Sequence, residues 1–154
     1  MSSTFTQLYV HIIFAVSDKK AFLKDNKESA VYDYISNLVD QLGHQMLIIN
    51  GTSDHIHMLV KMNPTEALSD FVREIKRRSS YYINHTLRGK NNFSWHIGYS
   101  AFTHQRSQVN AVFKYIEKQK DYHKNINFKE EYLSLSQIND EENTDDSIFK
   151  YKYQ

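Results

Sequence analysis

Between His44 and Met62 the chain reads HQMLIIN, then GTSD, then HIHMLVKM. Both flanks are rich in apolar and β-branched residues, and the Gly, Ser and Asp between them suit a tight connection, so the stretch predicts a β-hairpin. Around it the periodicity alternates. Residues 5–16, rich in Val, Ile and Phe, read as a strand, and residues 27–42 place Val31, Tyr34, Ile35, Leu38 and Leu42 at helical spacing before a stop at Gly43. Pro64 closes the second hairpin strand. Residues 65–87 then form a second helix with Leu68, Val72, Ile75, Ser79, Tyr82 and Ile83 inward. After the loop RGKNN, the aromatic run FSWHIGYSAFTH reads as a strand bent at Gly98. Ser107 suits the cap of a third helix reaching about His123, with Val109, Val112, Phe113 and Ile116 as its apolar stripe. A short helical turn follows over 128–135. The order β-α-β-β-α-β-α predicts an α+β, ferredoxin-like (split βαβ) antiparallel sheet of about four strands with helices packed on it.

A chain of 154 residues has room for one domain with a real core. That domain is expected over 1–135, followed by an acidic, mobile tail over 136–154, where NDEENTDD holds five acids and no base. The net charge is only +1, so a nucleic-acid partner must be met by a local patch. Cysteine is absent, which excludes disulfides, thiolate zinc sites and a cysteine nucleophile. The first residues carry no basic start or small-residue cleavage site, and Tyr9 and His11 interrupt the apolar run. Neither a signal peptide nor a membrane span is expected, and the location expected is cytoplasmic.

Two constellations carry chemistry. In HIH, strand alternation puts His55 and His57 on one side of the sheet, about 7 Å apart at the backbone, close enough to grip one ion. The eight histidines of the chain give roughly 0.4 such triplets by chance, so the triplet alone leaves solvent-facing, hydrogen-bonded histidines equally open. The second constellation is Tyr115 and Gln119 in YIEKQ, four residues apart and about 100° from the apolar stripe. A plain surface pair is one reading. The other gives the phenol the role of nucleophile toward a phosphodiester and the amide oxygen that of a metal ligand.

Together these residues resemble the single-tyrosine HUH transposases, small enzymes that move bacterial insertion sequences as single-stranded DNA. The resemblance is carried by His55-Ile56-His57 and by Tyr115-x-x-x-Gln119. It extends in order through VHIIFAV, INGTSDHIHMLV, PTEALSDFVREIKRRSS, WHIGYSAF and FKEEYL. The chain departs from the family pattern at His96, where relatives carry Gln, and at Tyr122, where they carry His. The resemblance implies a ferredoxin-like sheet with a C-terminal helix bearing the tyrosine. Tyr115 would be the nucleophile of a 5′-phosphotyrosine intermediate, and His55, His57 and Gln119 would bind Mg2+ or Mn2+. The partner implied is single-stranded DNA with hairpins, and the assembly is a homodimer in which the tyrosine helix can act in trans. The alternatives are a non-catalytic or domesticated single-stranded nucleic-acid-binding protein of the same fold, and a metal-dependent hydrolase that uses the histidine pair with an activated water and dispenses with Tyr115.

For holding DNA, Arg73, Lys76 and Arg77 share a polar face of the second helix, expected beside the histidine pair, and Arg88 and Lys90 add to it in the next loop. A solvated helix face is the plain alternative for that stripe. Trp95 and Phe102 are expected in the core, and His11 at the surface, with a supporting place beside the histidine pair as its alternative.

Overall fold

In the computed structural model, which describes residues 3–18, 23, 27–87 and 92–139, the hairpin forms where its sequence predicts. Strand β2 spans Gln45–Gly51 and β3 spans His55–Met62. Strand β1 (Leu8–Ala15) pairs with β3, and β4 (Ser100–His104) pairs with β1, giving one antiparallel sheet in the order β2-β3-β1-β4. Helix α1 (Lys27–Gln41) joins β1 to β2, and α2 (Leu68–Tyr82) lies between β3 and β4. This is the ferredoxin-like connection predicted from the element order.

Alternation along β1 and β3 divides the core between two faces. Val10, Ile12 and Phe14 of β1 and Ile56, Met58 and Val60 of β3 pack with Val31, Ile35, Leu38 and Val39 of α1 and Phe71, Val72 and Ile75 of α2. Each of these large side chains contributes about 1.5–3 kcal/mol by leaving water. Trp95 joins this cluster, and its indole N–H donates to Ser79 Oγ at 2.8 Å, which explains an inward serine on α2. On the other face, Tyr9 and Leu59 meet Val109 and Ile116 of α3 (Val109–Glu117), while Ile13 and Ala15 meet Phe128 of α5 (Phe128–Asn139). A register shift between Met46 and Ile48 lets Leu47 and Ile48 both pack with this second-face cluster.

Several boundaries move for identifiable reasons. Helix α2 starts at Leu68 rather than Thr65, and before it the Thr65 N–H is taken up by Asn63 Oδ1 in a side-chain turn at 3.0 Å. It ends at Tyr82 in a π-turn over Ile83–Leu87. The aromatic run is a strand only from Ser100. Before it Trp95 makes a single bridge to Val16, and Gly98 turns the chain at φ +92°. The third helix is not continuous. A 3-10 turn over Arg106–Gln108 leads in, capped at Gln105 rather than at Ser107, with the Gln105 N–H donating to Gln108 Oε1. The chain then breaks at Lys118, and α4 covers Gln119–Tyr122. Asn50 of β2 stabilises that break by donating to the carbonyls of Ile116 at 2.9 Å and Glu117 at 3.0 Å. Lys120 in turn donates to Asn50 Oδ1 at 2.8 Å. Helix α5 continues to Asn139, past the boundary set at residue 135, and residues 140–154 lie outside the described residues.

Candidate active site

His55 and His57 project from β3 onto the second face and are fully buried there. Each ring is held by its Nδ1. His55 Nδ1 lies 2.7 Å from Asp54 Oδ1 and 3.0 Å from Thr52 Oγ1, whose hydroxyl donates to the same Asp54 oxygen at 2.7 Å. His57 Nδ1 lies 2.7 Å from Nε2 of His11. Both Nε2 atoms therefore aim outward from the sheet, toward the helices that cover it.

Those helices bring a carboxylate to meet them. Glu131 of α5 is fully buried, with Oε1 lying 3.3 Å from His55 Nε2 and 2.9 Å from His57 Nε2. A third ring approaches the same oxygen: His123, just past α4, donates from Nδ1 to the Ile126 carbonyl at 2.6 Å and sets Nε2 3.1 Å from Glu131 Oε1. The other oxygen, Oε2, accepts hydrogen bonds from the Tyr115 hydroxyl and, at 2.8 Å, from Gln119 Nε2. Gln119 Oε1 lies 3.3 Å from His55 Nε2. Helix α5 is fixed in register by a reciprocal cap, in which the Glu130 N–H donates to Asn127 Oδ1 at 2.9 Å and the Asn127 N–H to Glu130 Oε2 at 3.3 Å. Phe128 then stacks on His55 with ring centroids 4.1 Å apart.

The environment sets the charge states. Burial alone would raise the Glu131 pKa, but the imidazoles of His123, His55 and His57 set against its oxygens outweigh it and hold the carboxyl well below the usual range. Burial pulls His57 down to about 4. His55 is buried as deeply, yet its bonds to Asp54 and Glu131 lift it above its ordinary value. Burial, reinforced by the Glu131 charge, raises the Tyr115 phenol, so the resting hydroxyl is protonated. His11 is pushed well below its ordinary value by burial and by His57 and His104 beside it.

The four residues singled out from sequence, His55, His57, Tyr115 and Gln119, thus converge on one buried carboxylate. Three features differ from expectation. Gln119 is fully buried and is not on an open helix face: the Tyr115–Gln119 side of the broken helix covers the sheet. His11 is 2% exposed rather than at the surface, because its ring lies diagonal to His57 across the β1–β3 register. The basic stripe is not beside the site either. Helix α2 packs on the opposite face of the sheet, where Arg73 pairs with Asp70 and Arg77 with Glu74. Lys76 donates to the carbonyls of His96 and Gly98 at 2.6 and 2.7 Å. Arg88 and Lys90 lie outside the described residues. Glu131, His123 and Asp54 were not singled out from sequence. The available signal for Glu131 was Asn127-x-x-Glu130, a helix-start pattern that places the next residue, Glu131, in the first turn of a helix.

Residues 4–119 match the family described as "Transposase IS200 like". The ISDra2 transposase TnpA of Deinococcus radiodurans is 26% identical over 122 residues, covering 75% of this chain and 86% of that protein. Among solved structures, a candidate transposase from Deinococcus radiodurans R1 aligns with TM-score 0.62 at 20% identity, covering 77% of this chain and 95% of that one. A REP-associated tyrosine transposase bound to a REP hairpin aligns with TM-score 0.59 at 14% identity, covering 80% of this chain and 74% of that one. These two likenesses bear on the fold, which is that of the sheet and helices above. No described helix is long and apolar enough to cross a membrane. The family match covers three-quarters of the sequence, and the chain belongs to the IS200-like transposase family.

Proposed function

We propose that this chain cuts and rejoins single-stranded DNA at insertion-sequence ends, with Tyr115 as nucleophile and a divalent cation, Mg2+ or Mn2+, held at the His55–His57 pair. The observation that carries the reading is the meeting of the Tyr115 hydroxyl and both histidine Nε2 atoms on the two oxygens of Glu131. A phenol held that close to two imidazoles suits attack on a phosphodiester whose oxygens are polarised at the histidines. Attack of Tyr115 Oη on phosphorus, as its proton passes to Glu131 Oε2, forms the O–P bond of a 5′-phosphotyrosine and breaks the bond to the 3′ oxygen, which leaves as a hydroxyl on taking up that proton. Reversal by another strand's 3′-hydroxyl restores the phenol and rejoins the DNA.

The residues around the site divide the work. Asp54 and His11 fix the two rings through Nδ1, so that both Nε2 atoms face the reacting region. Asn50, by stabilising the break after Glu117, sets the relative orientation of the segments bearing Tyr115 and Gln119. In the resting chain the phenol keeps its proton, since burial and the Glu131 charge disfavour the phenolate. A divalent ion at the histidines would supply the positive charge that offsets that carboxylate and polarises the phosphate. Tyr115 meets the histidines of its own chain, with the rings of Tyr115 and His57 5.9 Å apart, so a site assembled in cis is sterically feasible. A homodimer that exchanges the tyrosine segment would build the same site in trans.

The hairpin substrate is inferred from the family and from the hairpin named with the REP-associated relative. Incubation with Mn2+ and end-labelled single-stranded hairpin DNA should give a protease-sensitive covalent band. Tight hairpin binding with no such band would favour the non-catalytic alternative.

A further inference from the structure

We infer that the cation site is completed by the C-terminal segment: His123 and Glu131 join His55 and His57 as ligands of one divalent ion, and Gln119 holds the carboxylate in place. The inference rests on the proposed function for what the ion does there, but its geometry stands separately. One ligand atom from each of these four residues lies within 4.8 Å of all the others. The three Nε2 atoms stand 3.3, 2.9 and 3.1 Å from Glu131 Oε1. Ligand atoms bound to a common cation stand roughly 3 Å from one another.

The placement of protons argues for an ion over a set of hydrogen bonds. His55 Nδ1 faces the Asp54 carboxylate and His123 Nδ1 faces the Ile126 carbonyl. Both partners only accept, so each neutral ring carries its proton on Nδ1 and presents a lone pair at Nε2. Two lone pairs then converge on a carboxylate oxygen that has lone pairs of its own, with His55 and Glu131 fully buried. That arrangement is repulsive unless positive charge stands among the four atoms. One dication satisfies all four atoms together.

Gln119 then acts through Glu131. Its amide nitrogen donates to Oε2, the oxygen turned away from the three imidazoles, and that oxygen also takes the Tyr115 hydroxyl. Glu131 therefore joins the ion to the nucleophile, one oxygen for each. His123 and Glu131 both lie beyond residues 4–119, the stretch that matches the family.

The test is Mn2+ binding to the full chain by titration calorimetry, with the rise in melting temperature on Mn2+ addition as a second readout. Glu131→Gln, which keeps the side-chain volume, and His123→Ala should each weaken binding by about a hundredfold or more and abolish the melting shift. Gln119→Ala should weaken it by only about tenfold, as expected for a residue that orients a ligand. Should Glu131→Gln fail to fold, His123→Ala alone decides. Binding by His123→Ala or by folded Glu131→Gln within threefold of wild type would overturn the inference, as would Gln119→Ala being the most damaging of the three. A covalent DNA adduct in the wild type accompanied by those adverse binding results leaves the proposed function standing without this ligand set. Absence of the adduct with the expected binding pattern does the reverse.

Discussion

His11 Nε2 lies 2.7 Å from His57 Nδ1, a contact between neighbouring strands that fixes which nitrogen of His57 faces the site. Replacing His11 by Phe keeps an aromatic ring in a buried position and removes the nitrogen. The expected result is a loss of divalent-ion affinity of about 10–100-fold with the fold retained. Calorimetry alongside circular dichroism checks it, and unchanged affinity would take His11 out of the site's support.

Gly51 ends β2 where the backbone passes His55, and a Cβ added there would fall 2.2 Å from the His55 carbonyl oxygen. The clash is with backbone, which has nowhere inexpensive to go. Gly51→Ala should cost about 1–3 kcal/mol in urea unfolding and weaken ion binding together with stability, since the displaced residue, His55, is a proposed ligand. A variant as stable as wild type would show that the hairpin end relaxes freely.

His57 is held down to about 4, below the ordinary 6.5, because burial penalises its charged form. The unfolded chain therefore binds more protons than the folded one between those values, and stability falls as pH drops from about 6.5 toward 4. His11 acts in the same sense, whereas His55, raised by Asp54 and Glu131, acts in the opposite one. Unfolding of the metal-free protein with chelator present, measured across that window, should show a shallower fall in His57→Asn than in wild type. Parallel curves would contradict the assignment of a neutral, buried His57.

Arg73 and Arg77 lie on the opposite face of the sheet from the histidines, and each forms an exposed ion pair within α2. Such pairs contribute about 0–1 kcal/mol, so replacing both arginines by Ala should barely alter stability. Were that face to hold DNA phosphates, the slope of log K against log salt for hairpin binding would fall by about two. An unchanged slope assigns the face to solvent and turns attention to the side carrying Tyr115.

The hairpin and its histidine pair were legible because their signals are local: period-two alternation and a tight connection fix both the strands and the side on which His55 and His57 project. Tyr115 and Gln119 were legible as a pair four residues apart. The helix break between them was not, because it depends on Asn50, which reaches the Ile116 and Glu117 carbonyls from a distant strand. Periodicity showed that Arg73 and Arg77 share a polar face, but it does not say on which side of the sheet a helix lies. Glu131 escaped for the same kind of reason: its contact with His57 spans 74 residues of chain, and nothing near it in sequence marks it as turning inward to the histidines. FKEEYL carried the family resemblance without revealing which of its acids turns inward.

The central claim is that Tyr115 forms a covalent bond to DNA at the site built by His55 and His57. Wild type and Tyr115→Phe, each incubated with Mn2+ and end-labelled hairpin DNA and then resolved under denaturing conditions, test it most directly. The account predicts a covalent protein–DNA band in wild type, its loss in Tyr115→Phe, and hairpin affinity in the variant within a few-fold of wild type. An undiminished band in Tyr115→Phe would contradict it.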